Sequence, residues 1–411
     1  MRNISEIYGT NKLLVSCSLI VWILYAALTA PICFNPIISY MLAFGYVFIL
    51  LANRVLLNKN LLYICLYWII INILCFILKS HTFNLNNVIG ALTPILIAFG
   101  VLIVCGANFW EKLEKIVFYF TLISLLIFIL QVCTGSLFDN FSSIFGRYIA
   151  DVYKETRPTA WYAFIYTYSP IDGLSFPRNS GFMWEPGAYA MVVSVFLGYR
   201  FLKYGVRLCG HNLIYILALI STFSTAGYLM LIMFFIMYIV ETRNILLAIP
   251  LVVILSVLIP YIFSLDFVGA KLTSYSEGMG QSFTNDRLGL YEYNRFETFV
   301  INMRRLLEFP IGYGVNQITD RFNNYFVGVN GIAVFARSWG IIGLVIALKS
   351  IVSTLRMWCN KAQLKNPNIC ILLVFLIFMV TFFSNPIERS VLFITIILYP
   401  FIYKFSRDVN K

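Results

Sequence analysis

The sequence predicts an all-α, polytopic integral membrane protein of about twelve transmembrane helices, with two large loops on one side of the bilayer. Three observations predict it: an apolar composition, a train of apolar runs, and a lopsided distribution of positive charge. Sixty per cent of the 411 residues are apolar and 12% are charged, with a mean hydropathy of +0.84. A soluble domain carries roughly 25% charged residues, and one this apolar would expose surface that water does not tolerate.

Apolar runs fall near 13–30, 37–52, 61–78, 88–105, 116–132, 187–202, 212–223, 226–240, 245–264, 332–350, 368–384 and 390–403. Most approach the ~20 residues needed to cross the hydrocarbon core. The runs at 212–223 and 226–240 are short, which suits tilted or half-buried helices. Backbone groups in lipid must be satisfied internally, so helices are expected throughout. Met1–Lys12 leads into the first run with no small-residue cleavage site behind it, so no removable signal peptide is expected. The whole of 1–411 is expected to form one transmembrane domain.

Charge sets the expected orientation. With both termini in the cytoplasm, the cytoplasmic segments hold 17 basic residues, whereas the short outer loops hold only Lys79 and Arg389. That is the positive-inside pattern. Five acidic residues (Glu6, Glu111, Glu114, Glu241, Asp408) join the 17, so the cytoplasmic side accounts for the entire net charge of +12. The basic balance is therefore topological, and no nucleic-acid partner is implied. Nine cysteines are scattered, none within 134–187 or 265–331, and no CxxC or Cys/His cluster occurs. Neither a metal nor a cofactor is expected.

Residues 134–187 and 265–331 form the two long outer loops, both rich in Tyr and Phe, the first also holding Trp161 and Trp184. Loops this long are usually functional or disordered, and their aromatic content argues for folded caps. In the first, Pro177-Arg178-Asn179-Ser180-Gly181-Phe182-Met183-Trp184-Glu185-Pro186-Gly187 leads into the sixth run. Proline suits a first helical turn, so Glu185 is expected at the helix mouth, beside exposed N–H groups. Glu185 either caps that helix and pairs with Arg178, or serves chemistry there. A second element, Ser221-Thr222-Phe223-Ser224-Thr225-Ala226-Gly227, joins the seventh and eighth runs. Ser224 and Thr225 there make either an anion site or an ordinary N-cap.

The third element lies in the second loop. After Arg287 come Arg295 and then Phe296, Phe299, Val300, Met303, Leu306 and Leu307, spaced as one face of a helix, with Arg304 and Arg305 between them. An amphipathic helix in the headgroup plane is expected, its arginines toward polar groups. Such a helix is either a plain anchor or part of a site. Pro310 and Gly312-Tyr313-Gly314 end it. Arg337 falls inside the tenth apolar run, where charge is costly and by default functional. His81 and His211 accompany no Ser or Cys nucleophile and are read as incidental.

Twelve spans with two dominant outer loops resemble the O-antigen polymerase (Wzy-type) family, within a larger group that includes O-antigen ligases. Arg178-x-x-Gly181 before Trp184-Glu185-Pro186-Gly187, the Ser221–Gly227 turn, Gly312-x-Gly314 after a run of arginines, Asn330-Gly331 and Trp339-Gly340-Ile341-Ile342-Gly343 carry the resemblance. It implies a glycosyltransferase-like membrane fold in the bacterial inner membrane. It further implies that the chain joins oligosaccharide repeat units carried on undecaprenyl pyrophosphate at the periplasmic face. A membrane lipid would be its surroundings, and a flippase and a chain-length regulator its partners. Glu185 and Arg178 would be catalytic. Arg287, Arg304, Arg305, Arg337, Ser224, Thr225, Gly312 and Gly314 would hold the pyrophosphates, since arginine forks suit phosphate oxygens. With no outer DxD or His cluster, the transfer is expected to be metal-independent. Ligases of the group carry a functional histidine in a large periplasmic loop, and neither long loop here contains one. A ligase acting on lipid A-core is thus the less favoured relative. A secondary transporter or lipid-linked sugar flippase is the alternative from another class, and its polar sites would lie at the bilayer midplane.

Overall fold

The computed structural model describes residues 11–27, 36–52, 59–79, 85–135, 161–162, 165–168, 177–243, 283–285, 290–292, 295–315, 326–327, 330–385 and 390–408. Twelve α-helices run through them: α1 (Lys12–Ala27), α2 (Pro36–Ala52), α3 (Lys59–Lys79), α4 (Leu85–Cys105), α5 (Phe109–Thr134), α6 (Pro186–Tyr204), α7 (Gly210–Ser221), α8 (Thr225–Thr242), α9 (Arg295–Glu308), α10 (Gly331–Trp358), α11 (Pro367–Ser384) and α12 (Val391–Asp408). Eleven coincide with expected apolar runs, and α9 is the expected amphipathic helix. The run at 245–264 lies outside the described residues, as do Arg287 and much of both long loops. What is described of the loops includes short strands. Trp161–Tyr162 pairs antiparallel with Thr167–Tyr168, and Leu290–Glu292 pairs antiparallel with Phe283–Asn285 and parallel with Phe326–Val327.

Six helices, α3, α4, α5, α8, α10 and α11, are long and apolar enough to cross a bilayer, and α1, α2, α7 and α12 are apolar but shorter. The outward faces match. Phe44 and Phe48 on α2, Ile70 and Ile77 on α3, and Leu126 and Leu130 on α5 are all exposed. Apolar surface so extensive calls for lipid. The protein is membrane-embedded.

Helix α6 is the exception that explains the layout. It is less apolar than those six, yet nearly every residue from Pro186 to Leu202 is buried. It packs against α5, α7, α8, α10 and α11, so protein rather than lipid surrounds it. A helix sheathed by other helices need not be lipophilic. Close approach is secured by Gly198, whose missing side chain admits Val374, and by Gly227, which faces Ala190.

The two ends of the bundle are built differently. At one end, Arg200 pairs with Glu114 at 2.8 Å and donates to Asn212 Oδ1 at 2.6 Å, Glu114 being buried and Arg200 largely so. Tyr215 adds a donor to Glu114. Buried charge persists only when paired and hydrogen-bonded in this way. At the same end, Glu241 accepts from the backbone N–H groups of Lys365 and Asn366 at 2.8 and 2.7 Å, covering the N-terminus of α11. Charges expected on a solvated cytoplasmic face are thus partly internal struts. At the opposite end lie the mouth of α6, the α7–α8 turn, α9, and the last turn of α11.

Helix α10 is broken at Gly340, where φ is 71° and ψ −179°. The segment after α9 docks into the break. Tyr313 N donates to Arg337 O at 2.9 Å, Gly314 N to Ser338 O at 3.0 Å, and Ile341 N to Pro310 O at 2.9 Å. Tyr67 of α3 supplies a further donor to Trp339 O at 2.8 Å. These satisfy backbone groups that a kink would otherwise leave bare in a membrane.

Candidate functional site

The approach to α6 is a compact turn anchored on both sides. Phe182 and Met183 are fully buried in the bundle, and Met183 N closes a turn onto Ser180 O at 2.9 Å. Gly181 has φ +50° and faces the Tyr189 ring so closely that a Cβ would overlap it. Asn179 ties this turn to the next element. Its backbone N donates to Ser221 O at 3.0 Å and its Nδ2 to Ser221 Oγ at 2.9 Å. Arg178, half-buried, donates from Nε to Thr222 O at 3.2 Å. The first two elements singled out in the sequence, 177–187 and 221–227, are therefore one structure.

Glu185 occupies the N-cap position of α6 in extended conformation, with φ −151° and ψ 157°, but its side chain makes no capping hydrogen bond. Ser224 does cap its helix, α8, accepting from Gly227 N at 3.4 Å. Thr225 next to it is exposed and lies on the outer side of α8. Between Glu185 and Ser224 stands Gly187. A Cβ built there would lie 3.6 Å from Glu185 Oε1 and 3.8 Å from both Ser224 Oγ and Asn385 Oδ1. Three side-chain oxygens from three elements surround that one point.

Asn385, the residue after α11, did not stand out in the sequence. It follows an apolar helix and precedes proline, a setting as ordinary as any polar helix terminus. Only the packing of α11 against α6 brings it to the site.

The arginines of α9 lie at the same end of the bundle. Arg304 and Arg305 both pair with Glu308, at 3.2 and 2.8 Å, and the Arg304 side chain is 73% exposed. Burial acts to raise the Glu308 carboxyl, but the Arg305 hydrogen bond and the charges of Arg305 and Arg304 outweigh it and hold the group below its usual range. Burial and Glu308 push the Tyr313 hydroxyl upward, while Arg305 and Arg337 act on it in the opposite direction. The cations of α9 and α10 thus share a neighbourhood. Arg337 is half-buried, and its guanidinium donates to Ser338 Oγ at 3.3 Å. Phe299 of α9 meets Phe383 of α11 with ring centroids 5.7 Å apart, two residues before Asn385. That contact links the arginine helix to the α6 mouth.

The structure adds detail at two of the expected elements. The inward face of α9 is Thr298, Asn302 and Leu306, packed on α10, while Phe296, Val300 and Leu307 are exposed. Asn302 Nδ2 donates to Thr298 O at 2.7 Å within the helix, and the apolar ridge turns outward. Gly312 and Gly314 have φ of 112° and 59°, and their N–H groups donate to Phe309 O and Ser338 O. They let the chain lie against α10 and α3. A side chain at Gly312 would strike the backbone at Ser338 and Gly340, and one at Gly314 would strike Asn72.

An apolar pocket of about 60 Å³ lies elsewhere, between α3, α4, α10 and α12, walled by residues including Tyr67, Phe335, Trp339 and Leu398. It offers no polar group for a sugar. Among the described residues no group of His, Cys, Asp and Glu is placed to hold a metal ion. The chain matches no family model and no curated protein.

Proposed function

We propose that this protein is a membrane glycosyltransferase of the O-antigen polymerase type. It would join undecaprenyl-pyrophosphate-linked oligosaccharide repeat units at the periplasmic face of the inner membrane, using about twelve spans with both termini in the cytoplasm. The observation that carries the proposal is the convergence of Glu185 and Ser224 at the mouth of a buried helix, with Arg178 tied to the adjoining α7–α8 turn. The arginine-bearing α9 reaches the neighbouring end of α11.

In this scheme the acceptor hydroxyl attacks the anomeric carbon of the donor. The bond from that carbon to the pyrophosphate oxygen breaks, and the lipid pyrophosphate leaves with the electron pair. Glu185, whose side chain is not engaged in capping its helix, takes the hydroxyl proton or orients that hydroxyl. Arg178, Arg287, Arg304, Arg305 and Arg337 supply the fixed positive charge that stabilises the leaving group. Burial of apolar ridges against lipid keeps α9 at the headgroup level, where a lipid pyrophosphate resides.

The test is reconstitution of the full chain in liposomes with lipid-linked repeat units. A ladder of polymer with released undecaprenyl pyrophosphate supports the proposal. Recovery of only unchanged repeat units, or transfer of single units to a lipid A-core acceptor, counts against it.

A further inference from the structure

We propose that Asn385 completes a hydroxyl-binding site with Glu185 and Ser224, and that this site holds the acceptor glycan by its hydroxyl groups. The proposal rests on the glycosyl-transfer function above and adds to it the residue and the chemical class of ligand at the α6 mouth.

Asn385 is 2% exposed, yet among the described residues nothing donates to its Oδ1. Buried amide oxygens are nearly always hydrogen-bonded, and leaving one unpaired is costly. Its orientation is fixed from the other side: Nδ2 donates to Thr381 O at 3.2 Å. Turning the amide over would set Oδ1 against that carbonyl oxygen. The acceptor therefore points toward Gly187, where Glu185 Oε1 and Ser224 Oγ also converge. Ser224 accepts from Gly227 N, which leaves its O–H free to orient.

The chemistry of the three oxygens selects the ligand. Two are acceptors only, and one of these belongs to a carboxylate. A phosphate would meet like charge there, so the pyrophosphates belong with the arginines. A sugar hydroxyl supplies the donor that Asn385 Oδ1 lacks, and a neighbouring hydroxyl is within reach of the Glu185 carboxylate and Ser224. Gly187 is half-exposed and puts no side chain between the three oxygens.

The test uses Gly187→Cys in the full chain, in nanodiscs, as a reporter. The new Cβ fits, since its nearest contacts are 3.6 Å or more away. Its alkylation by a small methanethiosulfonate is followed by residue-resolved mass spectrometry, with and without a panel of methyl glycosides. A glycoside present at ten times its Kd should slow modification about tenfold. The protection should disappear when Asn385→Leu is added. Should leucine prevent folding, Asn385→Ala carries the same expectation without overlap. Protection that survives loss of the Asn385 amide overturns the proposal. So does an absence of protection by any glycoside, or protection that follows sodium chloride rather than choline chloride. A parent chain that makes no polymer while Asn385-dependent protection persists counts against the polymerase function and for the hydroxyl site.

Discussion

Replacing Gly340 by alanine should undock α9 and its arginines without unfolding the bundle. The φ and ψ of Gly340, 71° and −179°, belong to a region essentially reserved for glycine, where a residue with a Cβ costs about 1–3 kcal/mol. The Cβ would also overlap Ile311 O and come within 2.6 Å of Pro310 O, both backbone atoms that cannot swing aside. Relief requires the 310–314 segment to move, which endangers the Ile341–Pro310, Tyr313–Arg337 and Gly314–Ser338 hydrogen bonds. At roughly 1 kcal/mol each, these bring the expected local penalty to about 4–6 kcal/mol. The assay is limited trypsin cleavage after Arg304 and Arg305 in liposomes, alongside thermal unfolding. Cleavage should accelerate by at least about a hundredfold, since 1.4 kcal/mol is a factor of ten. Gly45→Ala is the control: nothing lies within 4 Å of its Cβ, and it sits in a helix. Cleavage of Gly340→Ala at the parent's rate would refute the docking of α9 onto the α10 break.

Other outcomes follow from the same geometry. Lysine at Arg178, Arg287, Arg304 and Arg305 together should lower polymer yield by more than about tenfold in ladder assays, because the planar fork is lost. Glu308→Gln should free Arg304 and Arg305 and tighten binding of pyrophosphate-bearing liposomes, by no more than the ~0.2–1 kcal/mol of exposed pairs. Acid should act likewise. The Glu308 carboxyl is held below its usual range, so the pairing persists at neutral pH and weakens as pH falls through that lowered value. Unchanged binding between neutral and acid pH would contradict the pairing. For topology, Arg304→Cys should react with an impermeant thiol reagent in intact cells, and the native exposed Cys209 only after lysis. The reverse order would invert the orientation.

Helices were legible because lipid imposes a simple rule on length and polarity, and described helix ends fall within a few residues of the apolar runs for most of the chain. Helix α5 begins earlier than its run because Trp110 and Leu113 pack inside, with Glu111 and Lys112 between them at the end of the bundle. The centrality of α6 was not legible. Periodicity reports a helix, not which helices surround it. The apolar face of α9 was identified in part, but its burial ran opposite to hydropathy: Thr298 and Asn302 turn inward while Phe296 and Leu307 turn outward. Hydropathy assumes that the inside is apolar and the outside is water, and here the outside is lipid. The glycines at 312 and 314 were visible as turn residues, but their contact with α10 spans the break at Gly340 and leaves no local trace. Arg178, Glu185 and Ser224 stood out in the sequence by helix-mouth chemistry. Asn385 lies about two hundred residues from Glu185 in the chain, and nothing in its neighbours marks it.

The most direct measurement is polymer formation by Glu185→Gln against the parent in liposomes, at matched protein abundance and with the same lipid-linked repeat units. Glutamine keeps the size of the side chain and breaks no capping bond, since Glu185 makes none. It should insert and melt as the parent does. A ladder reduced by about a hundredfold or more, within the range of a lost general base, is the expected result. Normal abundance with a near-normal ladder would contradict the proposed role of the α6 mouth in catalysis.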